Sequence, residues 1–168
     1  MSIHPGQLRT LIEQVLAEAP VQQLNMPAAV DLLMLTAATE SRLGTFIRQV
    51  NGPAEGVFQM EPATERDIWL NYLSHPSRSA LKWWVVSYTN TGEPYTKIGV
   101  RDLVFNLAYQ IAMARIHYWR KPGGLPRPEH PNYELGLAAY WKTHYNTHLG
   151  KGTIEKALAD YRRLVKGA

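Results

Sequence analysis

Residues 40–64 read Glu40-Ser41-Arg42-Leu43-Gly44-Thr45-Phe46-Ile47-Arg48-Gln49-Val50-Asn51-Gly52-Pro53-Ala54-Glu55-Gly56-Val57-Phe58-Gln59-Met60-Glu61-Pro62-Ala63-Thr64. They follow Ala28-Ala29-Val30-Asp31-Leu32-Leu33-Met34-Leu35-Thr36-Ala37-Ala38-Thr39, in which Asp31 is the one charge. A helix that is apolar nearly all round has no face to give to water, so this one is expected at the centre of the fold. It ends on Glu40-Ser41. Gly44, Asn51-Gly52-Pro53 and Gly56 then punctuate two short strand-like runs, 46–50 and 57–60. A small irregular β-hairpin is expected there. Pro62 opens a further helix to about residue 73.

Working outward, residues 5–19 carry Leu8, Leu11, Ile12, Val15, Leu16 and Ala19 in helical register, with Pro20 after them. Asn25 is a candidate cap for the central helix, which starts near Pro27. Residues 76–88 contain Trp83-Trp84-Val85-Val86, and their period does not choose between helix and strand. A polar turn covers 89–94. A long helix is expected over 100–119, and the four prolines and two glycines of 121–131 mark a stiff loop. Residues 133–145 form another helix. Thr153 caps the last one, whose inner face is Ile154, Leu158, Tyr161 and Val165. There is no internal repeat. The expected fold is a single, mainly α domain over 1–168 with one small β-like insertion.

The 168 residues suffice for one sizeable core, and a 45% hydrophobic content is too high for a disordered chain. Without cysteine there is no disulfide, thiolate-bound zinc, iron–sulfur cluster or cysteine nucleophile. No segment is apolar for long enough to span a membrane. The first residues, Met1-Ser2-Ile3-His4-Pro5, lack the basic start of a signal peptide, so synthesis in the cytoplasm is expected. A net charge of +4 suits an anionic partner without choosing one. The densest basic spot is Arg162, Arg163 and Lys166, short of a nucleic-acid-binding run, and no nucleic-acid partner is expected.

Glu40 draws the chemical argument. Apolar neighbours such as Leu35 and Ala37 disfavour its anion, and so does the partial negative charge of the helix C-terminus. Both raise its pKa, and a carboxyl kept protonated near neutral pH is a general acid. Position alone favours a glutamate that ends the helix and points into water; the residues that follow it change the balance.

Glu40-Ser41, the run Gly56-x-x-Gln59-x-x-Pro62-x-Thr64, and Ala139-Tyr140 further on together resemble the lytic transglycosylases of the lysozyme-like superfamily. The resemblance covers about residues 28–145 as an ordered set of short motifs. It implies a lysozyme-like α+β domain in which Glu40 is the catalytic acid at the end of a buried helix. Ser41, Gln59 and the adjoining Met60 would line the cleft, and Tyr140 would hold the Glu40 carboxyl. Trp141 stands where the family has Asn, which leaves that role vacant. Asn106-Leu107 resembles the Asn-Ile that opens a family helix. The implied substrate is peptidoglycan, cut at the β-1,4 bond between N-acetylmuramic acid and N-acetylglucosamine, with no cofactor. The compact layout is phage-like. It implies release through a lysis hole or delivery by the virion, with other virion or tail proteins as partners.

A hydrolase would need a second carboxylate. Glu55 at the hairpin tip, and Glu65 and Asp67 on an outer helix face, read as solvated charges; Glu61, next to Gln59, is the least easily dismissed. Trp83, Trp84, Trp119 and Trp141 suit either a core or a sugar-binding surface. Tyr140 and Trp141 project about 100° apart on a helix, so Tyr140 is assigned to the cleft and Trp141 to packing or to the rim. His144 and His148 share helical spacing but lack the glutamate of a zinc-protease helix, so no metal is expected. The rival readings are a muramidase hydrolase of the same fold, a virion structural or wall-binding protein with a degenerate site, and a basic nucleic-acid binder.

Overall fold

The computed structural model describes residues 2–92, 99–146 and 150–167. Its helices are α1 (Pro5–Ala17), α2 (Pro27–Ser41), α3 (Pro62–Asp67), α4 (Ser79–Val86), α5 (Gly99–Phe105), α6 (Leu107–Trp119), α7 (Tyr133–Trp141) and α8 (Ile154–Tyr161). Wider turns extend α3 through Ile68–Leu73, α7 through Lys142–Asn146 and α8 through Arg162–Lys166. Proline at the first helical position of α1, α2 and α3 explains their starts, because its fixed φ suits a helix and its missing N–H needs no partner there.

α2 is the axis of the fold, packed by α1, α6, α7 and α8. Its residues Ala28, Ala29, Val30 and Leu32 to Ala38 are buried, as an all-round apolar sequence requires. Asp31, its exception, accepts from Arg9 at 2.5 Å and from the Tyr133 hydroxyl at 2.8 Å. Thr36 satisfies its buried hydroxyl against Leu32 O and the Tyr118 hydroxyl, both at 2.7 Å. α6 is the second buried helix, from Tyr109 to Tyr118. Its Arg115 donates to the carbonyls of Leu24 and Gln23 in the turn before α2.

Several expectations are corrected. The helix expected over 100–119 breaks at Asn106, whose side chain accepts from Tyr109 N and caps α6. For residues 76–88, where the period left helix and strand open, the structure shows helix: a 3-10 turn over Pro76–Arg78 leads into α4, which ends at Val86. Met26, not Asn25, occupies the N-cap of α2. Thr153 caps α8 as expected, accepting from Lys156 N at 3.2 Å.

The expected β-hairpin is reduced to two isolated antiparallel bridges, Arg48 with Glu55 and Glu55 with Met60, and no sheet forms among the described residues. The backbone explains why. Arg42, Leu43, Gly44, Asn51, Gly56 and Gln59 all have positive φ, which interrupts an extended chain every few residues. Gly56 is obligatory in this loop. At φ +78° a Cβ would lie 2.2 Å from the Leu103 carbonyl oxygen and 2.6 Å from Gln110 Oε1. No helix among the described residues is long and apolar enough to cross a membrane.

Candidate active site

Glu40 lies on the last turn of α2, half-buried. Its Oε1 accepts a 2.9 Å hydrogen bond from the indole Nε1–H of Trp141 on α7. Burial is the largest influence on its carboxyl and pushes the pKa up to about 7. The Trp141 bond and the charges of Lys156 and Lys142 oppose this by stabilising the anion. The hydroxyls of Tyr118 and Tyr145 lie within the carboxylate's field, which adds to the burial that holds both phenols protonated. The result is a carboxyl that exchanges its proton near neutral pH, beside neutral donors and two cations.

Tyr118 and Tyr145 belong to a larger cluster of rings. Tyr145 lies 5.2 Å from Tyr118 and 4.9 Å from His117, centroid to centroid. Tyr140 lies 5.9 Å from Tyr118 and 4.3 Å from His144. The Tyr145 hydroxyl donates to Phe58 O at 2.8 Å, which pins the Gly56–Met60 turn to the extension of α7. His117 is buried, its Nε2 3.1 Å from His144 O, and desolvation lowers its pKa to about 3, so it is neutral.

Each sequence-derived site residue has a definite place. Ser41 is wholly buried. Its hydroxyl is 2.6 Å from Val57 O and accepts from Gly44 N at 2.8 Å, so it joins the end of α2 to the following loop. Gln59, at φ +46°, donates from Nε2 to Gly56 O at 2.7 Å and to Phe46 O at 3.2 Å, and so holds its own turn closed. Met60 is buried in the core. The role expected of Tyr140 belongs to its neighbour: Trp141, not Tyr140, holds the Glu40 carboxyl. The face of α7 that meets α2 carries Leu137, Ala138 and Trp141, and one residue of helix turns Tyr140 away from it. Tyr140 is half-buried among the rings. A groove of about 420 Å³ between the proline-rich loop and α7 reaches Ala139, the residue before it.

The carboxylates weighed as second catalytic groups are distributed differently. Glu61 is exposed, and Asp67 is ion-paired with Arg120. Glu65, expected on an outer face, is fully buried. It accepts from the Tyr109 hydroxyl, which in turn accepts from Trp69 Nε1 at 2.9 Å, and its other oxygen has no partner. Burial pushes its pKa up to about 7, helped by the charges of Asp102 and Glu55. Glu55 is 3.7 Å from Arg48. The charges of Lys156 and Lys142 act on Glu40, whereas those of Asp102 and Glu55 act on Glu65.

Sequence reasoning missed Tyr118, Tyr145, Lys142 and Lys156. One signal was available for Tyr145, which follows Trp141 by four residues and so shares its helix face. Among the described residues no cluster of three His, Asp or Glu side chains could hold a metal ion. His148 lies outside the described residues, as do the last two residues of the expected 89–94 turn. Comparison with protein-family models, with curated proteins and with solved structures gives no match for this chain.

Proposed function

We propose that the chain cleaves peptidoglycan glycan strands as a lytic transglycosylase of lysozyme-like fold, with Glu40 as the single acid and base. The observation that carries this reading is the state of Glu40: a half-buried carboxyl with its pKa pushed up to about 7 and one oxygen engaged by a donor. Such a group holds a proton at neutral pH and can give it up, which the leaving oxygen of a glycosidic bond requires.

The steps balance with one carboxyl. Glu40 protonates the glycosidic oxygen as the bond to C1 of N-acetylmuramic acid breaks. The carboxylate, favoured at that stage by Trp141, Lys142 and Lys156, then takes the proton of the sugar's own C6 hydroxyl. That oxygen closes on C1, giving a 1,6-anhydro ring and returning the proton to Glu40. No water is consumed. Glu65 is fully buried against Tyr109 and Asp67 is paired with Arg120, which favours this route over one with a second carboxylate. Ser41, Gln59 and Tyr145 support it indirectly by fixing the loop after α2 to the catalytic helix and to α7.

Digestion of purified peptidoglycan, with products identified by mass, tests the reading. The wild type is expected to release muropeptides with anhydro ends and Glu40→Gln to release none. Reducing ends from the wild type alone would make the enzyme a muramidase. No release by a folded wild type would favour a wall-binding or virion structural protein.

A further inference from the structure

We propose that Trp141 is the positioning residue of this site: its indole N–H holds Glu40 Oε1 as an acceptor, so that the acid proton is carried on Oε2. The inference rests on the reading of Glu40 as the acid, and it names the group that sets which oxygen acts.

The argument starts from what an indole can do. It has one N–H and no acceptor, so at any pH it meets a carboxyl in one sense only. A tyrosine hydroxyl could donate or accept, and an amide could present either end. At 2.9 Å from Oε1 the Trp141 N–H leaves that oxygen unable to point a proton at it. When Glu40 is protonated, its carbonyl oxygen is the better acceptor for that N–H, so Oε1 takes the carbonyl role and the proton goes to Oε2. When Glu40 ionises, the bond strengthens, because a charged acceptor binds an N–H more tightly than a neutral one.

The indole is itself fixed. Trp141 is 1% exposed. The segment leading into α8 fits around it: a Cβ at Gly152 would fall 2.5 Å from Trp141 Cη2 and 3.2 Å from Cζ2. Only glycine lets the chain pass this close to the ring. Lys142 secures the same segment by donating to Gly150 O and Asn146 Oδ1, both at 2.8 Å. The segment ends at Thr153, the cap of α8, and α8 carries Lys156. The groups around Glu40 are thus Trp141 from α7, Lys142 and Tyr145 from its extension, Lys156 from α8 and Tyr118 from α6. Lys156 is tied to Asp160 at 2.6 Å. Trp141 is the one of these that hydrogen-bonds the carboxyl.

The test needs no substrate. In ¹⁵N-labelled protein the indole N–H resonance of Trp141, identified by its loss in Trp141→Phe or by the contact of its ring with Gly152, is followed against pH. It should shift downfield with the same midpoint as the Glu40 carboxyl carbon, near pH 7, and stay flat in Glu40→Gln. Trp69 provides the control, because it reaches Glu65 through Tyr109. Its resonance should follow Glu65 and lose its pH dependence in Glu65→Gln, where the Trp141 curve stays as in the wild type. In Trp141→Phe the Glu40 midpoint should rise by about one pH unit, the equivalent of one hydrogen bond to a charged group. The falling limb of activity should rise with it. A Trp141 resonance that stays flat while Glu40 titrates overturns the proposal, even if Trp141→Phe proves too unstable to study. So does a Trp141→Phe enzyme that loses activity with its Glu40 midpoint unchanged. Co-titration in a protein that releases no muropeptide supports the hold on Glu40 and refutes the glycan-cleaving reading, so the two failures are told apart.

Discussion

Replacing Glu65 with Gln should change how stability depends on pH, by an amount the structure allows to be worked out. Glu65 is fully buried, with Oε1 on the Tyr109 hydroxyl and Oε2 unpartnered. Its pKa stands at about 7 in the fold against 4.5 for an ordinary glutamate. Between those values the native state keeps a proton that the unfolded chain has lost. Stability from this group is therefore complete below about pH 4.5, falls as pH rises, and levels off above about 7. The full fall is about 3 kcal/mol, an upper figure because relaxation and water entry reduce it. The raw curve of the wild type will not display this cleanly. Glu40 contributes with the same sign. His117 opposes both: neutral in the fold down to about pH 3 but protonated in the unfolded chain below about 6.5, it makes stability rise with pH over that range. The difference between wild type and Glu65→Gln isolates Glu65, since Gln can still accept from Tyr109 and does not titrate. Urea unfolding, followed by tryptophan fluorescence from pH 4.5 to 8.5, measures it. The wild type should lose about 3 kcal/mol relative to the variant across that range. Parallel curves, or a difference that grows the other way, would refute the burial argument.

Other perturbations probe the loop that fixes the site. Ser41→Ala leaves Gly44 N–H and Val57 C=O without their hydroxyl partner and should cost about 1–3 kcal/mol by urea unfolding; wild-type stability would contradict the role given to Ser41. Gly56→Ala forces a Cβ onto the Leu103 carbonyl at a positive φ and should abolish the cooperative transition or lower Tm sharply, so a wild-type melting curve would count against the loop geometry. Tyr145→Phe removes the bond to Phe58 O. It should cost about 1 kcal/mol and lower peptidoglycan release while leaving the fold intact by circular dichroism; unchanged stability would count against that bond.

The central helix was legible because its sequence has no polar face: once Asp31 is set aside, nothing from Ala28 to Ala38 could be offered to water. The helix starts at Pro5, Pro27 and Pro62 were legible for the same local reason, a proline where a helix needs no donor. The loop after α2 was legible as irregular but not in its form, because pairing depends on positive φ at Arg42, Leu43 and Gln59, residues that do not advertise it. Glu65 was misread as a surface charge because its partner, Tyr109, is on another helix and forty-four residues away. That Trp141, packed as expected, would be the residue to bond Glu40 in place of Tyr140 was hidden by a subtler cause. Both face within one helical turn of the site, and only the packing of α7 on α2 decides which of the two reaches Glu40. Glu40 itself was picked out by the motifs that follow it, Ser41 and the Gly56 to Thr64 run; the burial and helix-end arguments agree with that choice but do not make it. The residues that tune it, Lys142, Lys156 and the phenols, come from later elements whose arrangement no local pattern encodes.

The account depends on a carboxyl that burial keeps protonated at working pH. The initial rate of muropeptide release against pH, with the Glu40 carboxyl titrated on the same protein, tests that most directly. The rate should fall above about pH 7 with the midpoint of Glu40, and Glu40→Gln should release nothing at any pH. A rate that runs undiminished through that midpoint, or release that survives Glu40→Gln, would contradict it.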